Sequence, residues 1–238
     1  MTADGTYPDL LRAAQGHLRP STYVEVGTHE GDSLVLARPP TIAVGIDPAP
    51  TVRHPLPAAT TVLEATSDEA LAAGDGRLDE LRGGRAVDLA FVDGLHLFEV
   101  ALRDVIGLER RCHPGSPLLL HDTLPDDAEM AARERSTVRW SGDVWKLVLC
   151  LREERPELRV ATLDTPPAGL TVVRGLDPGS DVLARRYDDL CERWVPMGFD
   201  ALCEPATQLG LVPGDERSLL RLLDARPEIS RPVRPAAR

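Results

Sequence analysis

The segment Tyr23-Val-Glu-Val-Gly-Thr-His-Glu-Gly31 decides the fold. Its first half, together with Thr22, is rich in β-branched and apolar residues and predicts a buried strand over 22–26. Its second half is a turn bracketed by Gly27 and Gly31, where the missing side chains let a ligand approach the backbone. We expect a helix to follow and to offer free amide groups at its start. A strand, a glycine turn and a helix together favour a nucleotide-binding α/β protein.

The alternation of strand and helix patterns continues along the chain and is typical of a sheet covered by helices. The predicted strands cover residues 22–26, 41–46, 61–64, 87–92, 116–120, 158–162 and 169–173. The main predicted helices are an opening helix that ends at about residue 16, followed by 98–112, 143–154, 187–194 and 218–223. The last two strands flank Pro166-Pro167 and are close in sequence, so we expect them to be antiparallel. The predicted fold is therefore α/β: a Rossmann-like, seven-stranded sheet with helices on both faces, in three layers.

The length of 238 residues predicts one main domain with an appendage. We expect a ligand-binding domain over residues 1–175. The change of character around Asp177-Pro-Gly179 marks a linker. Residues 176–238 are then predicted to form a C-terminal helical extension that caps the site or contacts another subunit.

Composition disfavours several classes of function. A formal net charge of -11 disfavours nucleic acid as a partner, because binding to phosphates depends on clustered Lys and Arg. No apolar run approaches the roughly 18 residues that a membrane span needs, and the N-terminus lacks a signal-peptide pattern. The four cysteines show no close CxxC pair, which favours buried reduced thiols. We therefore expect a cytoplasmic protein that acts on a small molecule, with a homo-oligomer left open.

Polar residues just beyond the predicted strand ends define the candidate site, because open α/β sheets bind ligands at the carboxyl ends of their strands. Asp47 ends the second strand about 20 residues after the first glycine, where a carboxylate can accept hydrogen bonds from both ribose hydroxyls of an adenosine ligand. The alternative for Asp47 is a solvated strand-end carboxylate. The turn departs from the GxGxxG dinucleotide fingerprint, because Thr28 and His29 occupy its middle. A nicotinamide-dependent oxidoreductase is therefore disfavoured.

Four segments, in this order, resemble the successive motifs of class I S-adenosylmethionine-dependent methyltransferases. They are Tyr23-Val-Glu-Val-Gly-Thr-His-Glu-Gly31, Ile46-Asp47, Val92-Asp-Gly-Leu-His96 and Leu120-His-Asp-Thr123. The DGxH and HDT strand ends are similar to those of small-molecule O-methyltransferases. The resemblance covers residues 20–175 and implies that 1–175 is a methyltransferase domain that binds S-adenosylmethionine.

The resemblance implies a set of cofactor-binding residues around the glycine turn and the next strand ends. Glu25 and Gly27 would lie beneath the methionine part of the cofactor, while Ser67 or Asp68 would recognise the adenine. For Ser67 and Asp68 the alternative is the N-cap of a helix. The implied set is Glu25, Gly27, Thr28, Gly31, Asp47, Ser67, Asp68 and Asp93.

Two carboxylates and two imidazoles follow the fourth and fifth predicted strands. Methyl transfer requires positioning and, where the acceptor hydroxyl still carries its proton, a base. Histidine suits that task because its unperturbed pKa is about 6.5. The catalytic candidates are His96 as the base, His121 as the second choice, and Asp93. Alternatively, His96 satisfies amides at a helix start and His121 is a core-edge histidine bound to backbone.

A divalent cation, Mg²⁺ or Mn²⁺, is a further implication of the resemblance. Related O-methyltransferases bind such an ion with acidic residues at these two strand ends, so Asp93 and Asp122 are the candidate metal ligands. His121 stands where the family has a third carboxylate. An imidazole departs from the all-oxygen site that Mg²⁺ prefers, which leaves metal dependence open.

The expected reaction is methyl transfer to a hydroxyl of a small metabolite such as a sugar, a phenol or a natural-product intermediate. The alternatives are methylation of an amine and binding of S-adenosylmethionine without turnover. Trp140 and Trp145 follow the loop after the fifth strand and would form an apolar wall beside the acceptor. Alternatively, Trp145 packs into the core while Lys146 is exposed.

Overall fold

The computed structural model describes residues 5–57 and 59–224. Its strands, β1 to β8 in chain order, are Thr22–Val26, Ile42–Asp47, Thr60–Glu64, Leu89–Val92, Leu118–His121, Arg159–Asp164, Leu170–Arg174 and Leu211–Pro213. Its α-helices, α1 to α9, are Tyr7–Leu18, Ser67–Ala70, Arg77–Leu81, Phe98–Glu109, Trp145–Glu154, Val182–Arg185, Tyr187–Trp194, Pro205–Gln208 and Glu216–Asp224. Two 3₁₀ turns cover Leu34–Leu36 and Phe199–Ala201.

The strands form a single mixed sheet in the order β3-β2-β1-β4-β5-β7-β6-β8. Strands β1 to β5 pair in parallel, whereas β7 runs antiparallel to both β5 and β6. The order reverses between β1 and β4, and a crevice opens beyond the carboxyl ends of strands at such a switch point. The predicted α/β class and the antiparallel pair are confirmed.

Helices cover both faces of the sheet and make three layers, as predicted. On one face, α1 and α9 bury Leu10, Leu11 and Leu219 against alternate residues of the strands. On the other face, α4 and α5 bury side chains such as Leu102 and Trp145 against the remaining strand residues. The central strands are apolar on both faces because both faces are covered.

The C-terminal segment differs from the predicted helical extension. It contributes the eighth strand, β8, which pairs in parallel with β6 at the edge of the sheet. Its helix α9 then packs against α1 and contacts β6 and β7. The prediction of seven strands is wrong by this three-residue strand, which is too short to show an alternating pattern.

The helix expected after the glycine turn is absent. The chain makes the short 3₁₀ turn Leu34–Leu36 and reaches β2 through Pro39-Pro40. Proline lacks an amide hydrogen and its ring clashes with the preceding turn, so a helix cannot continue through this pair. Any amides offered to a ligand here therefore belong to the turn itself.

The cysteines and the helix lengths bear on two expectations drawn from composition. All four cysteines are free; Cys112 and Cys150 are buried, whereas Cys191 is half-buried and Cys203 is exposed. Among the described residues, no helix has the length and apolar character that crossing a bilayer requires.

Replacing Leu219 with Ala tests whether the C-terminal segment belongs to the main core. Leu219 is fully buried against α1 and the sheet, so Leu219→Ala should lower the free energy of unfolding by about 2–5 kcal/mol. Urea denaturation measures the change, with the exposed neighbour Arg217→Ala as the control. A loss for Leu219→Ala no larger than that of the control would show that the segment is a separate appendage.

Candidate active site

A cavity of about 800 Å³ opens beyond the carboxyl ends of β1, β2, β4 and β5. It brings together most of the residues that the sequence predicts for the site. Those that line it are Gly27, Thr28, Asp47, Ser67, Asp68, Asp93, His96, His121 and Asp122. Glu25 and Gly31 do not line it: Glu25 lies beneath its floor, and a side chain at Gly31 would meet Val52.

Gly27 is the point at which the turn touches the neighbouring strand end. Its φ of +88° is in the region that favours glycine, and a Cβ atom there would lie 2.0 Å from the carbonyl oxygen of Asp93. The Gly27 amide donates to the carbonyl of Ile46 at 2.9 Å, and the Asp93 amide donates to the carbonyl of Val26 at 2.8 Å. The turn therefore fixes the ends of β1, β2 and β4 relative to one another.

The Asp47 carboxylate is held by the backbone of the adjoining turns. Its Oδ2 accepts a hydrogen bond from the His29 amide at 2.7 Å, and its Oδ1 accepts one from the Ala49 amide at 2.8 Å. Each oxygen keeps a further lone pair for a ligand in the cavity. Asp47 is thus an oriented acceptor, in contrast to the alternative of a freely solvated carboxylate.

Glu25 is a fully buried carboxyl group directly beneath the turn. Its Oε2 accepts a hydrogen bond from the Tyr23 hydroxyl at 2.7 Å, while its Oε1 has no hydrogen-bond partner among the described residues. Burial raises the pKa of Glu25 to about 8. The Thr28 hydroxyl is likewise buried and has no partner among those residues. Two buried oxygens next to the turn are thus left with unused hydrogen-bonding capacity.

The segment after β3 caps a helix, although through a different residue from the one expected. Thr66 is the N-cap of α2: its Oγ1 accepts from the Glu69 amide at 3.2 Å, and the Glu69 side chain accepts from the Thr66 amide at 2.9 Å. The capping prediction for Ser67 and Asp68 is therefore wrong by one or two positions. The Asp68 carboxylate binds the guanidinium of Arg103 at 2.5 and 2.8 Å.

The carboxylates of Asp93 and Asp122 meet the two imidazoles at the ends of β4 and β5. His121 Nδ1 lies 3.1 Å from Asp93 Oδ1 and 3.3 Å from Asp122 Oδ2. His96 Nε2 lies 3.1 Å from Asp122 Oδ2 and 3.6 Å from Asp93 Oδ1. The alternative in which His121 bonds to backbone is not observed, because its Nδ1 faces carboxylates.

Charge compensation within this cluster shifts the pKa values of its members. Burial alone would lower the pKa of His121, but the charge of Asp93 and hydrogen bonds to both carboxylates raise it to about 10. Burial opposes ionisation of Asp93 too, yet His121 and His96 hold its pKa well below the usual range. The two carboxylates therefore favour the protonated form of His121.

His96 is oriented by the loop that precedes α5. Its Nδ1 lies 3.3 Å from the carbonyl oxygen of Trp140, and the two rings stack with centroids 5.1 Å apart. The amide at the start of α4, that of Phe98, bonds to Asp143 at 2.7 Å, so His96 does not have the helix-start role given as its alternative. Its Nε2 is left to face the carboxylates. Burial lowers the pKa of His96, but hydrogen bonding to Asp93 and the charge of Asp122 outweigh it and raise that pKa.

Three side chains could hold a metal ion. One ligand atom each from Asp93, His96 and Asp122 lies within 4.8 Å of the other two. The sequence proposed the two aspartates and put His121 in the third place. The structure brings both histidines to the aspartates, and the third ligand atom of this group comes from His96. Two carboxylate oxygens and one imidazole nitrogen suit Mn²⁺ better than Mg²⁺.

The two tryptophans after β5 have different surroundings. Trp140 lines the cavity, and its indole nitrogen donates to the carbonyl of Ala132 at 2.5 Å. Trp145 is buried in the core instead. Lys146 is also buried, where it bonds to Asp143 at 2.9 Å and to the carbonyl of Val195 at 2.8 Å, so the expectation of an exposed lysine is wrong.

Several residues of the cavity wall were not found by sequence reasoning. The Tyr7 ring, from the start of α1, lies 3.8 Å from the His121 ring, measured between centroids. Arg135 and Val138 belong to the loop between β5 and α5. No motif marks them, because their place in the wall follows from packing between distant parts of the chain.

Comparison with known proteins agrees with this geometry. Residues 24–123 match the family described as methyltransferase domain. That stretch runs from β1 to just beyond β5 and contains both the glycine turn and the carboxylate–imidazole cluster. The chain is therefore similar to this family over these residues, which make up less than half of its length.

Solved structures share the fold over about 72% of this chain at low sequence identity. The SAH-bound methyltransferase PaMTH1 of Podospora anserina is 17% identical, with a TM-score of 0.55, over 72% of this chain and 78% of that one. The O-methyltransferase TomG of Streptomyces achromogenes, in complex with SAM, is 13% identical, with a TM-score of 0.55, over 72% and 80%. An O-methyltransferase of Bacillus cereus in complex with SAH is 13% identical, with a TM-score of 0.50, over 72% and 82%. No protein of curated function matches the sequence.

The C-terminal segment does not line the cavity. The wall ends, in chain order, at Pro167, and none of the described residues 176–224 contributes to it. The cap that was predicted for residues 176–238 is thus absent from the described part. Residues 225–238 lie outside the described residues, and a subunit contact stays a prediction.

The unusual pKa of Glu25 predicts a pH-dependent stability. Its pKa is about 8 in the fold against an ordinary value of 4.5, so its stabilising contribution is complete below pH 4.5 and is lost as the pH rises towards 8. Glu25→Gln mimics the protonated form at every pH. Relative to the wild type, the variant should gain roughly 3 to 5 kcal/mol in free energy of unfolding across this interval.

Urea denaturation of both ligand-free proteins between pH 5 and pH 9 measures this gain. Other titrating groups are common to the two proteins and cancel in the difference. Parallel stability curves for wild type and Glu25→Gln would show that Glu25 is ionised in the fold.

Proposed function

We propose that this protein transfers the methyl group of S-adenosylmethionine to a hydroxyl of a small metabolite. The observation that carries the proposal is that one cavity contains both the glycine turn with Asp47 and the cluster of Asp93, His96 and Asp122. The first group suits an adenosine ligand and the second suits activation of a hydroxyl. The acceptor would be a sugar, a phenol or a natural-product intermediate.

The turn fits the methyl donor on three observations. Asp47 has free lone pairs towards the cavity, where it would accept hydrogen bonds from the two ribose hydroxyls. Gly27 lines the cavity and has no side chain, so its backbone is open to the methionine part of the cofactor. The Thr28 residue lines the cavity, and its hydroxyl, which has no partner among the described residues, would form a hydrogen bond with a polar group of the ligand. When bound, S-adenosylmethionine supplies an electrophilic methyl group on a positively charged sulfur.

The adenine is assigned to the segment at the start of α2. Ser67 lines the cavity and is the candidate contact. Asp68 also lines it, but its carboxylate is already bound in two places by Arg103. We therefore favour Ser67 over the Asp68 carboxylate as the side chain that contacts the base.

His96 is proposed to accept the proton of the acceptor hydroxyl at Nε2. The stacking on Trp140 and the contact of Nδ1 with its carbonyl hold the ring in one orientation. The neighbouring carboxylates raise the pKa of His96 and make its neutral ring a stronger base. Asp93 and Asp122 would stabilise the imidazolium that forms.

A divalent cation is the alternative means of activation in the same cluster. Asp93, His96 and Asp122 would hold it, and the imidazole makes Mn²⁺ a better fit than Mg²⁺. Such an ion lowers the pKa of a bound hydroxyl. It would use the same nitrogen of His96 that the base mechanism needs, so the two mechanisms are mutually exclusive and a chelator separates them.

The experiment offers methyl-labelled S-adenosylmethionine and a panel of sugars, phenols and amines to the wild type and to His96→Ala. We expect labelled product from a hydroxyl acceptor, and at least a 100-fold lower kcat for His96→Ala. Calorimetry with S-adenosylhomocysteine should give nearly the same Kd for both proteins. His17→Ala, an exposed histidine whose ring contacts Asp224, is the control and should keep wild-type kcat.

Each contrary result has a definite meaning. Tighter binding of NAD than of S-adenosylhomocysteine would overturn the choice of cofactor, and binding without product from any acceptor would indicate a non-catalytic binding protein. Transfer to amines alone would show that the acceptor group is an amine and not a hydroxyl. Unchanged kcat in His96→Ala would remove His96 from both mechanisms, and loss of turnover with chelator would select the metal.

A further inference from the structure

Part of the cavity wall is an open apolar surface. Leu95 is 54% exposed and Val138 is 91% exposed, although both are large apolar side chains and both line the cavity. Trp140 forms the wall next to them. Exposed apolar side chains grouped within a cavity indicate contact with an apolar part of a ligand.

Arg135 places an uncompensated positive charge in the same cavity wall. Its described contacts are the ring of Trp140, 6.0 Å from the guanidinium carbon, and a carbonyl oxygen of Thr137 at 3.4 Å. The other two arginines that line the cavity are neutralised: Arg103 by Asp68, and Arg139 by Asp126. Among the described residues, no carboxylate forms an ion pair with Arg135.

The indole of Trp140 contacts both this charge and the cluster at the strand ends. It stacks on the ring of His96, and the guanidinium carbon of Arg135 lies 6.0 Å from its centroid. The hydrogen bond from the indole nitrogen to the Ala132 carbonyl fixes the ring in place. A ligand that lies along Trp140 would therefore reach His96 with one end and Arg135 with the other.

We propose that the methyl acceptor carries a carboxylate, bound by Arg135, at the opposite end of an apolar body from the hydroxyl that is methylated. This inference rests on the proposed function. A guanidinium binds a planar carboxylate through two parallel hydrogen bonds, and stacking on an indole pre-orients it for that geometry. One unpaired arginine balances the single charge of a carboxylate, whereas a phosphate monoester carries about -1.5 to -2 near pH 7. The carboxylate is therefore favoured over a phosphate.

The probe is 3,4-dihydroxybenzoate, which has hydroxyls and a carboxylate at opposite ends of one ring. Its neutral methyl ester is the matched ligand, and 3,4-dihydroxyphenyl phosphate is the third arm. Each is titrated into the full-length protein saturated with S-adenosylhomocysteine. We expect the carboxylate to bind at least tenfold more tightly than the ester, because a charge-assisted hydrogen bond is lost in the ester.

Arg135→Gln should abolish this preference without changing the Kd of S-adenosylhomocysteine. Arg139→Gln removes an arginine from the same loop whose charge is already neutralised, and it should retain the preference. Where a probe is also methylated, Arg135→Gln should raise KM for the carboxylate far more than it lowers kcat. A protein that had merely lost structure would fail to bind S-adenosylhomocysteine as well.

Carboxylate binding no tighter than ester binding, including the absence of binding by either, would overturn the proposal. Retention of the preference in Arg135→Gln would also overturn it. If the phosphate bound most tightly of the three probes, the anionic group of the acceptor would be a phosphate and not a carboxylate. Failure of the proposed function can be distinguished from failure of this inference, because in the first case the wild type would not bind S-adenosylhomocysteine. In that event the titrations are made on the ligand-free protein and still test Arg135.

Discussion

The contact between the Gly27 turn and the end of β4 is the constraint on which the site depends. A Cβ at Gly27 would overlap the carbonyl group of Asp93, so a residue with any side chain would force the two strand ends apart. Gly27 belongs to the turn proposed to hold the methyl donor, and Asp93 belongs to the cluster proposed to act on the acceptor. Their backbone contact thus sets the distance between the two halves of the reaction. Methyl transfer requires an in-line approach, and proximity of this kind is the main contribution that a protein makes to it.

The second constraint is electrostatic. Two carboxylates, Asp93 and Asp122, are removed from most of the solvent at the ends of adjacent strands. Buried carboxylates destabilise a fold unless they are paired, and His121 and His96 supply the pairing. His121 is the more strongly bound of the two, whereas His96 also contacts the loop that carries Trp140. The proposed division of roles follows from this: His121 balances the charge of the cluster, and His96 would face the acceptor.

The sequence predicted the sheet well because strand patterns are local. β1 occurs over the predicted residues, and the residues that follow β1, β2, β4 and β5 converge because parallel strands end at one edge. The sequence also shows that a helix after the turn must end before Pro39-Pro40, although it does not show that the residues before this pair form only a 3₁₀ turn. Nothing local shows that His96 joins His121 beside the two aspartates. The orientation of His96 depends on the Trp140 loop, which folds back from 44 positions along the chain. Tyr7, Arg135 and β8 were missed for the same reason, because only tertiary packing puts them in place.

Diffraction from crystals grown with S-adenosylhomocysteine tests the central claim most directly, because it locates the ligand in the cavity. We predict that Asp47 accepts hydrogen bonds from both ribose hydroxyls, that the homocysteine part lies over Gly27, and that the sulfur faces the Asp93, His96 and Asp122 cluster. A ligand bound elsewhere, or bound with its sulfur directed away from that cluster, would contradict the assignment of the two halves of the site.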